Sequence, residues 1–278
     1  MNVIETIQSF LGASWQPWFI TLTYLGSIYA YITFLTLYYW LVDPQRGRQL
    51  GILMSLTYVT NLLVKDWSDR ERPFEINPSI ASESAKKTAE MASFPSGHAQ
   101  SSVTFWFFLA WYHHRIWLWG LGVIIVALVS FSRLYLGVHY PIDIVIGLSM
   151  GLVMVGIGIA VSFPQRQGLI VGVVAVILAF LLTLALPYLG NPLGPLVGFF
   201  LTRPQFTPPS TWKGRLILGG GGLVLVFLFY FLSDWVLNTW QGGEWMNYWR
   251  YLLVTLLATE VCPRLAVRID PSLERRNN

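Results

Sequence analysis

The chain alternates long apolar runs with short polar stretches, and several of the runs have no polar side at all. Leu121 to Val129 and Leu216 to Phe231 are apolar all the way round a helix. In water such helices would have no face to offer the solvent, whereas a bilayer asks for this pattern. Runs of this kind predict membrane spans at about 18–41, 50–64, 99–112, 117–136, 142–161, 168–186, 216–237 and 246–262. The stretch 188–202 is short and contains Pro192, Gly194 and Pro195, so hydropathy leaves it open. Residues 1–17 predict a short amphipathic interfacial helix, with Ile4, Ile7, Phe10 and Leu11 at helical spacing. Trp15 and Trp18 follow, residues that favour a water–lipid boundary. The segment from Lys65 to His98 is long and polar, and its part 75–93 predicts a loop with a short surface helix.

Positive charge decides the ninth span. With the polar segment outside, the loops carrying Arg46 and Arg48, Arg115, and Arg166 fall inside, as cytoplasmic loops rich in Lys and Arg should. If 188–202 also crosses, Arg203, Lys213, Arg215, Arg264, Arg268, Arg275 and Arg276 land inside; if it does not, all seven are outside. Nine spans fit better than eight. The expected fold is an all-α, polytopic transmembrane helical bundle forming a single integral membrane domain over residues 1–278. Within it, residues 18–163 form a core with the polar loop 65–98, and 164–278 add further spans.

Composition agrees. Hydrophobic residues make up 54% and charged ones 12%, against about 25% charged in soluble domains. Cys262 is the only cysteine, which excludes an intrachain disulfide and a thiolate metal site. Met1 to Glu5 carry no basic region ahead of an apolar run and do not read as a cleavable signal peptide. Topology accounts for the net charge of +4, so no nucleic-acid partner is implied. Gly219 to Gly222 lack the Lys and Ser/Thr of a phosphate loop and suit close helix packing instead. Glu260, near the inner end of the last span, has Arg264 as a partner one turn on. Short loops without a retention signal point to a bacterial inner membrane.

Three polar clusters stand out against this background. They are Lys65-x6-Arg72-Pro73, Pro95-Ser96-Gly97-His98, and Ser132-Arg133-x5-His139-x3-Asp143. By the charge rule they share one side of the membrane, the outer. Arg72 and Arg133 offer planar forks and Lys65 a point charge, the donors that a phosphate needs. Ser96 and Gly97 precede a span, where free backbone N–H groups face an anion. A neutral imidazole attacks phosphorus, and a second, protonated one supplies a proton to the leaving oxygen. His139 has Asp143 one turn on to orient its ring, which makes it the better nucleophile and His98 the better acid. No acidic cluster or His/Cys set suggests a metal, and no cofactor is called for.

The three clusters in this order resemble the signature motifs of the type 2 phosphatidic acid phosphatase superfamily, over residues 65–143. The resemblance implies a phosphohistidine intermediate on His139, with His98 as acid and Asp143 as the partner of His139. It also implies phosphate contacts from Lys65, Arg72, Ser96, Gly97 and Arg133, with no metal requirement. The substrate class it implies is a membrane lipid phosphate or pyrophosphate. Six-span lipid phosphatases of that family usually place three spans before the first motif, whereas two are found here. That arrangement is closer to the glucose-6-phosphatase branch and keeps a sugar phosphate as the second reading. A non-catalytic lipid-phosphate binder or transporter would need neither His98 nor His139.

Overall fold

In the computed structural model, which describes residues 3–161, 163 and 168–269, every regular element is helical. Arg166, Arg275 and Arg276, used in the charge argument, lie outside the described residues. The chain runs through α1 (Val3–Leu11), α2 (Gln16–Thr23), α3 (Ile28–Leu41), α4 (Pro44–Ser68), α5 (Pro73–Ile76), α6 (Glu83–Lys86), α7 (Gly97–His113) and α8 (Ile116–Tyr135). It continues with α9 (Pro141–Ala160), α10 (Leu169–Ala185), α11 (Gly190–Leu201), α12 (Trp212–Arg215), α13 (Gly222–Thr239), α14 (Met246–Leu256) and α15 (Cys262–Ile269). Among the described residues, three helical stretches are long and apolar enough to cross a bilayer: α8, α9, and Trp212–Thr239, which joins α12 to α13 through wider turns. A fourth is the pair Ala13–Gly26 and Ile28–Leu41, bent by 47°. The expected first span is thus broken rather than straight, the break falling at Gly26 and Ser27.

Two compact units emerge, Met1–Tyr31 with Thr60–Val161, and Ile32–Val59 with Ser162–Asn278. In the first, α7 packs against α8 and α9. Gly147 and Gly151 make the α7–α9 approach feasible: a Cβ at Gly147 would lie 2.5 Å from the Ser96 carbonyl oxygen, and one at Gly151 2.7 Å from that of Gln100. The amphipathic α1 docks on this unit. Ile4 is fully buried, while Phe10, on the same predicted stripe, is 87% exposed. Gln8 Nε2 donates to the carbonyls of Ile80 and Tyr135, both at 2.7 Å. A fixed polar side chain, not apolar spacing alone, sets the orientation of α1.

In the second unit, α11 lies on α14 through Gly190, Gly194 and Gly198. Here the proline- and glycine-rich stretch that hydropathy left open folds as a helix with Pro195 inside it. Arg48 donates to the Phe199 and Phe200 carbonyls at its carboxyl end. Gly222 packs on the Trp40 ring, as expected of the glycine run, whereas Gly220 and Gly221 face open space. Glu260 pairs with Arg264 and accepts the Arg203 N–H at 2.7 Å.

Candidate active site

The three polar clusters converge inside the first unit. Lys65 is in the last turn of α4, and Arg72 sits immediately before α5. Ser96 caps α7, its Oγ accepting from Ala99 N. Gly97 and His98 open that helix, and Arg133 lies in the last turn of α8. Gly137, at φ 69°, turns the chain toward His139. Pro141 begins α9, which presents Asp143 in its first turn. The Ser96 N–H donates to the Asp143 carbonyl at 3.0 Å, tying the second cluster to the third. All eight sequence-chosen residues are brought to one place.

Lys65, Arg72, Arg133, His139, Asp143 and Ser96 are buried, and His98 is partly open. The cations converge on the segment 88–92. Lys65 Nζ donates to the Ala92 carbonyl. Arg72 donates through Nε to Met91 O at 2.9 Å, through Nη2 to Glu90 O at 2.7 Å, and through Nη1 to Val138 O at 2.8 Å. Arg133 Nη1 reaches Thr23 Oγ1 and Thr88 Oγ1, each at 2.8 Å, and Nη2 reaches Thr88 O at 2.9 Å. Arg133 Nε is buried and makes no hydrogen bond. These carbonyls and hydroxyls fix the cations as a set.

His139 Nδ1 stands 3.4 Å from Asp143 Oδ2, within ion-pair range but without hydrogen-bond geometry. Burial, and then the positive charges of Arg133, Arg72 and Lys65, hold the His139 imidazole well below its usual pKa. His98 is lowered by burial and then by Arg133, His139, Arg72 and Lys65. Burial also brings Lys65 down to about 7 and Arg72 to about 10. Before anything binds, both imidazoles are therefore neutral at neutral pH. A dianion placed among these cations would offset them and favour a proton on His98.

Three further residues that the motif positions do not include, Ser93, Asn61 and Arg70, also meet this cluster. Ser93 Oγ donates to Asp143 Oδ2 at 2.6 Å. Asn61 Nδ2 donates to Gln100 Oε1 at 2.9 Å, and its Oδ1 would lie 2.9 Å from a Cβ at Gly97. A larger residue at 97 would therefore have to displace the Asn61 amide. Arg70 lies 3.5 Å from Asp143 Oδ1 and over the Tyr140 ring at 4.7 Å. Ser93 stood two residues before the second cluster, the one signal available.

The sequence model of the PAP2 superfamily matches residues 46–167. A putative undecaprenyl-diphosphatase of Escherichia coli is 32% identical over 49% of this chain and 70% of its own length. The chain belongs to the PAP2 superfamily. With that superfamily it stands among the hydrolases of phosphoric ester or diphosphate bonds, and its apolar helices make it an integral membrane protein. An undecaprenyl-diphosphatase of Sulfolobus acidocaldarius is 35% identical over 38% of the chain, a match that spans about half (52%) of that relative. Lipid phosphate phosphatase delta of Arabidopsis thaliana is 25% identical over 84% of the chain and 67% of its own length. No solved structure matches the chain.

Proposed function

We propose that the protein is a membrane phosphatase that cleaves a lipid phosphomonoester or pyrophosphate at the outer face of a bacterial inner membrane, with nine spans. The observation that carries this is the set of buried Lys65, Arg72 and Arg133 fixed beside two imidazoles, one of them paired with Asp143. Both E. coli and S. acidocaldarius relatives are named for a diphosphatase activity on a polyprenyl lipid, and the A. thaliana relative for lipid phosphates. The last also aligns with most of the chain, which favours a lipid over a sugar phosphate.

In the proposed mechanism, Lys65, Arg72, Arg133, the Ser96 hydroxyl and the Gly97 N–H take the phosphoryl oxygens, balancing charge that spreads over them in the transition state. Neutral His139 attacks phosphorus through Nε2, so a P–N bond forms as the P–O bond to the leaving group breaks. His98 gives its proton to the departing oxygen. Asp143 steadies the positive charge left on the His139 ring. In the second half, His98 takes a proton from water, whose oxygen attacks phosphorus and breaks the P–N bond, releasing inorganic phosphate.

The test is phosphate release by detergent-purified protein, with chelator present, beside His139→Ala. Phosphatidic acid, phosphatidylglycerol phosphate, undecaprenyl pyrophosphate, a sphingoid phosphate and glucose 6-phosphate make up the panel. Release from a lipid that vanishes in the variant is expected. Release from glucose 6-phosphate alone would transfer the protein to sugar phosphates. Silence across the panel, with lipid phosphate still bound, would leave a binder or transporter.

A further inference from the structure

Asp143 is held by more than its own helix. Its Oδ2, the oxygen facing His139, accepts the Ser93 hydroxyl at 2.6 Å and the Tyr140 N–H at 2.8 Å. The Tyr140 N–H is part of the turn that begins α9 and is supplied by any sequence folding that way. The Ser93 hydroxyl comes from a distant segment and is fully buried. Its own backbone is pinned as well, the Ser93 N–H donating to Arg70 O at 2.8 Å. The Ser93 carbonyl also bears on the His139 ring, favouring its protonated form. Ser93 thus borders both members of the His139–Asp143 pair and directly follows the carbonyls of residues 90–92 that hold Lys65 and Arg72.

We infer that Ser93 is a positioning residue, whose hydroxyl fixes the Asp143 carboxylate so that Oδ2 stays beside His139 Nδ1 during attack on phosphorus. The assignment rests on the phosphatase reading above, and it concerns the transferred phosphoryl group, not the identity of the lipid. Without the hydroxyl, Oδ2 keeps the Tyr140 N–H and Oδ1 the Arg70 guanidinium at 3.5 Å, but the carboxylate loses the shortest of the contacts that oppose its rotation. Since His139 gains its positive charge only as the bond to phosphorus forms, the loss falls on the chemical step more than on binding.

The experiment uses the full chain in detergent with two substrates, phosphatidic acid and p-nitrophenyl phosphate, the second needing little protonation of its leaving group. Ser93→Ala, the near-isosteric Ser93→Cys with its weak S–H donor, Asp143→Ala and the double variant Ser93→Ala/Asp143→Ala are compared with wild type. Ser93→Ala and Ser93→Cys should each lower kcat by about tenfold, with KM within about twofold, the scale of one lost hydrogen bond to a charged group. On the Asp143→Ala background, Ser93→Ala should cost less than about twofold further, because the two act as one unit. Full activity of Ser93→Cys, or an undiminished tenfold loss in the double variant, would overturn the assignment even though the enzyme hydrolyses phosphate. A folded wild type silent on both substrates and on undecaprenyl pyrophosphate would instead overturn the phosphatase reading, and the assignment with it.

Discussion

The Gly147 α-carbon faces the Ser96 carbonyl so closely that a Cβ there would sit 2.5 Å from the oxygen. Ser96 is the cap of α7, and its N–H holds the Asp143 carbonyl at 3.0 Å. Gly147, with Gly151 one turn on, therefore sets the distance between the helix that starts with Gly97 and His98 and the helix that carries Asp143.

Gly147→Ala should force α7 and α9 apart, costing about 1–3 kcal/mol, the usual scale for overpacking a close contact. Phosphate release should fall by about tenfold or more, since small misplacements at a reacting centre are expensive. Gly156→Ala on the same helix is the control, as a Cβ there meets nothing within 4 Å. Thermal stability and activity of the two variants, measured together, check this; equal behaviour would refute it.

His98→Asn should discriminate between leaving groups. General acid help is typically about 100- to 10,000-fold, and an alkyl phosphate such as phosphatidic acid needs it in full. p-Nitrophenyl phosphate releases a stable anion and should lose much less. His139→Asn should abolish hydrolysis of both. Rates for the two substrates with each variant decide the matter, and equal losses in His98→Asn would remove it from the acid role.

Lys65 makes a pH prediction. Burial lowers it to about 7 in the free protein, so it is charged below that pH and loses its charge as pH rises through it. Because kcat/KM follows the free enzyme, a fall on the alkaline side of about pH 7 is expected, carried mainly by KM. Lys65→Arg keeps its charge throughout and should flatten that limb. Profiles from about pH 5.5 to 9 for both proteins test it; identical limbs would clear Lys65 of the effect.

Arg250 belongs to stability rather than chemistry. It is buried, 3.0 Å from Asp234, and its guanidinium lies over the Tyr230 and Tyr251 rings at 4.4 and 5.0 Å. Arg250→Ala should lower stability by about 2–3 kcal/mol, less than for a fully buried pair because Asp234 is half exposed. Thermal unfolding should shift down while the folded fraction keeps its kcat; an unchanged midpoint would count against it.

The helices were legible in the sequence because lipid demands unbroken apolar runs, and each predicted span from 18–41 to 246–262 contains helix. The two exceptions are instructive. The first run gives no hint of its 47° bend, since bilayer and protein interior accept the same apolar residues. The stretch 188–202 was ambiguous because glycine and proline usually break helices, yet Gly190, Gly194 and Gly198 let α11 approach α14.

The eight candidate residues stand out in the sequence because a phosphate site would need scarce residue types, and an apolar chain makes them conspicuous; the fold brings them together. Ser93, Asn61 and Arg70 could not be chosen that way. Serine, asparagine and arginine in a polar loop or at a helix end usually meet water, and nothing local distinguishes the ones that do not. Only the approach of α9 and of Asn61 on α4 to α7, and the path of the segment 88–93 across the cations, put Ser93 against Asp143 and Asn61 against Gly97. Residue type and order determined which chemistry is proposed for this protein. The tertiary structure decided which neighbours hold it in place, because hydrogen bonds are short and directional, and their partners lie far apart along the chain.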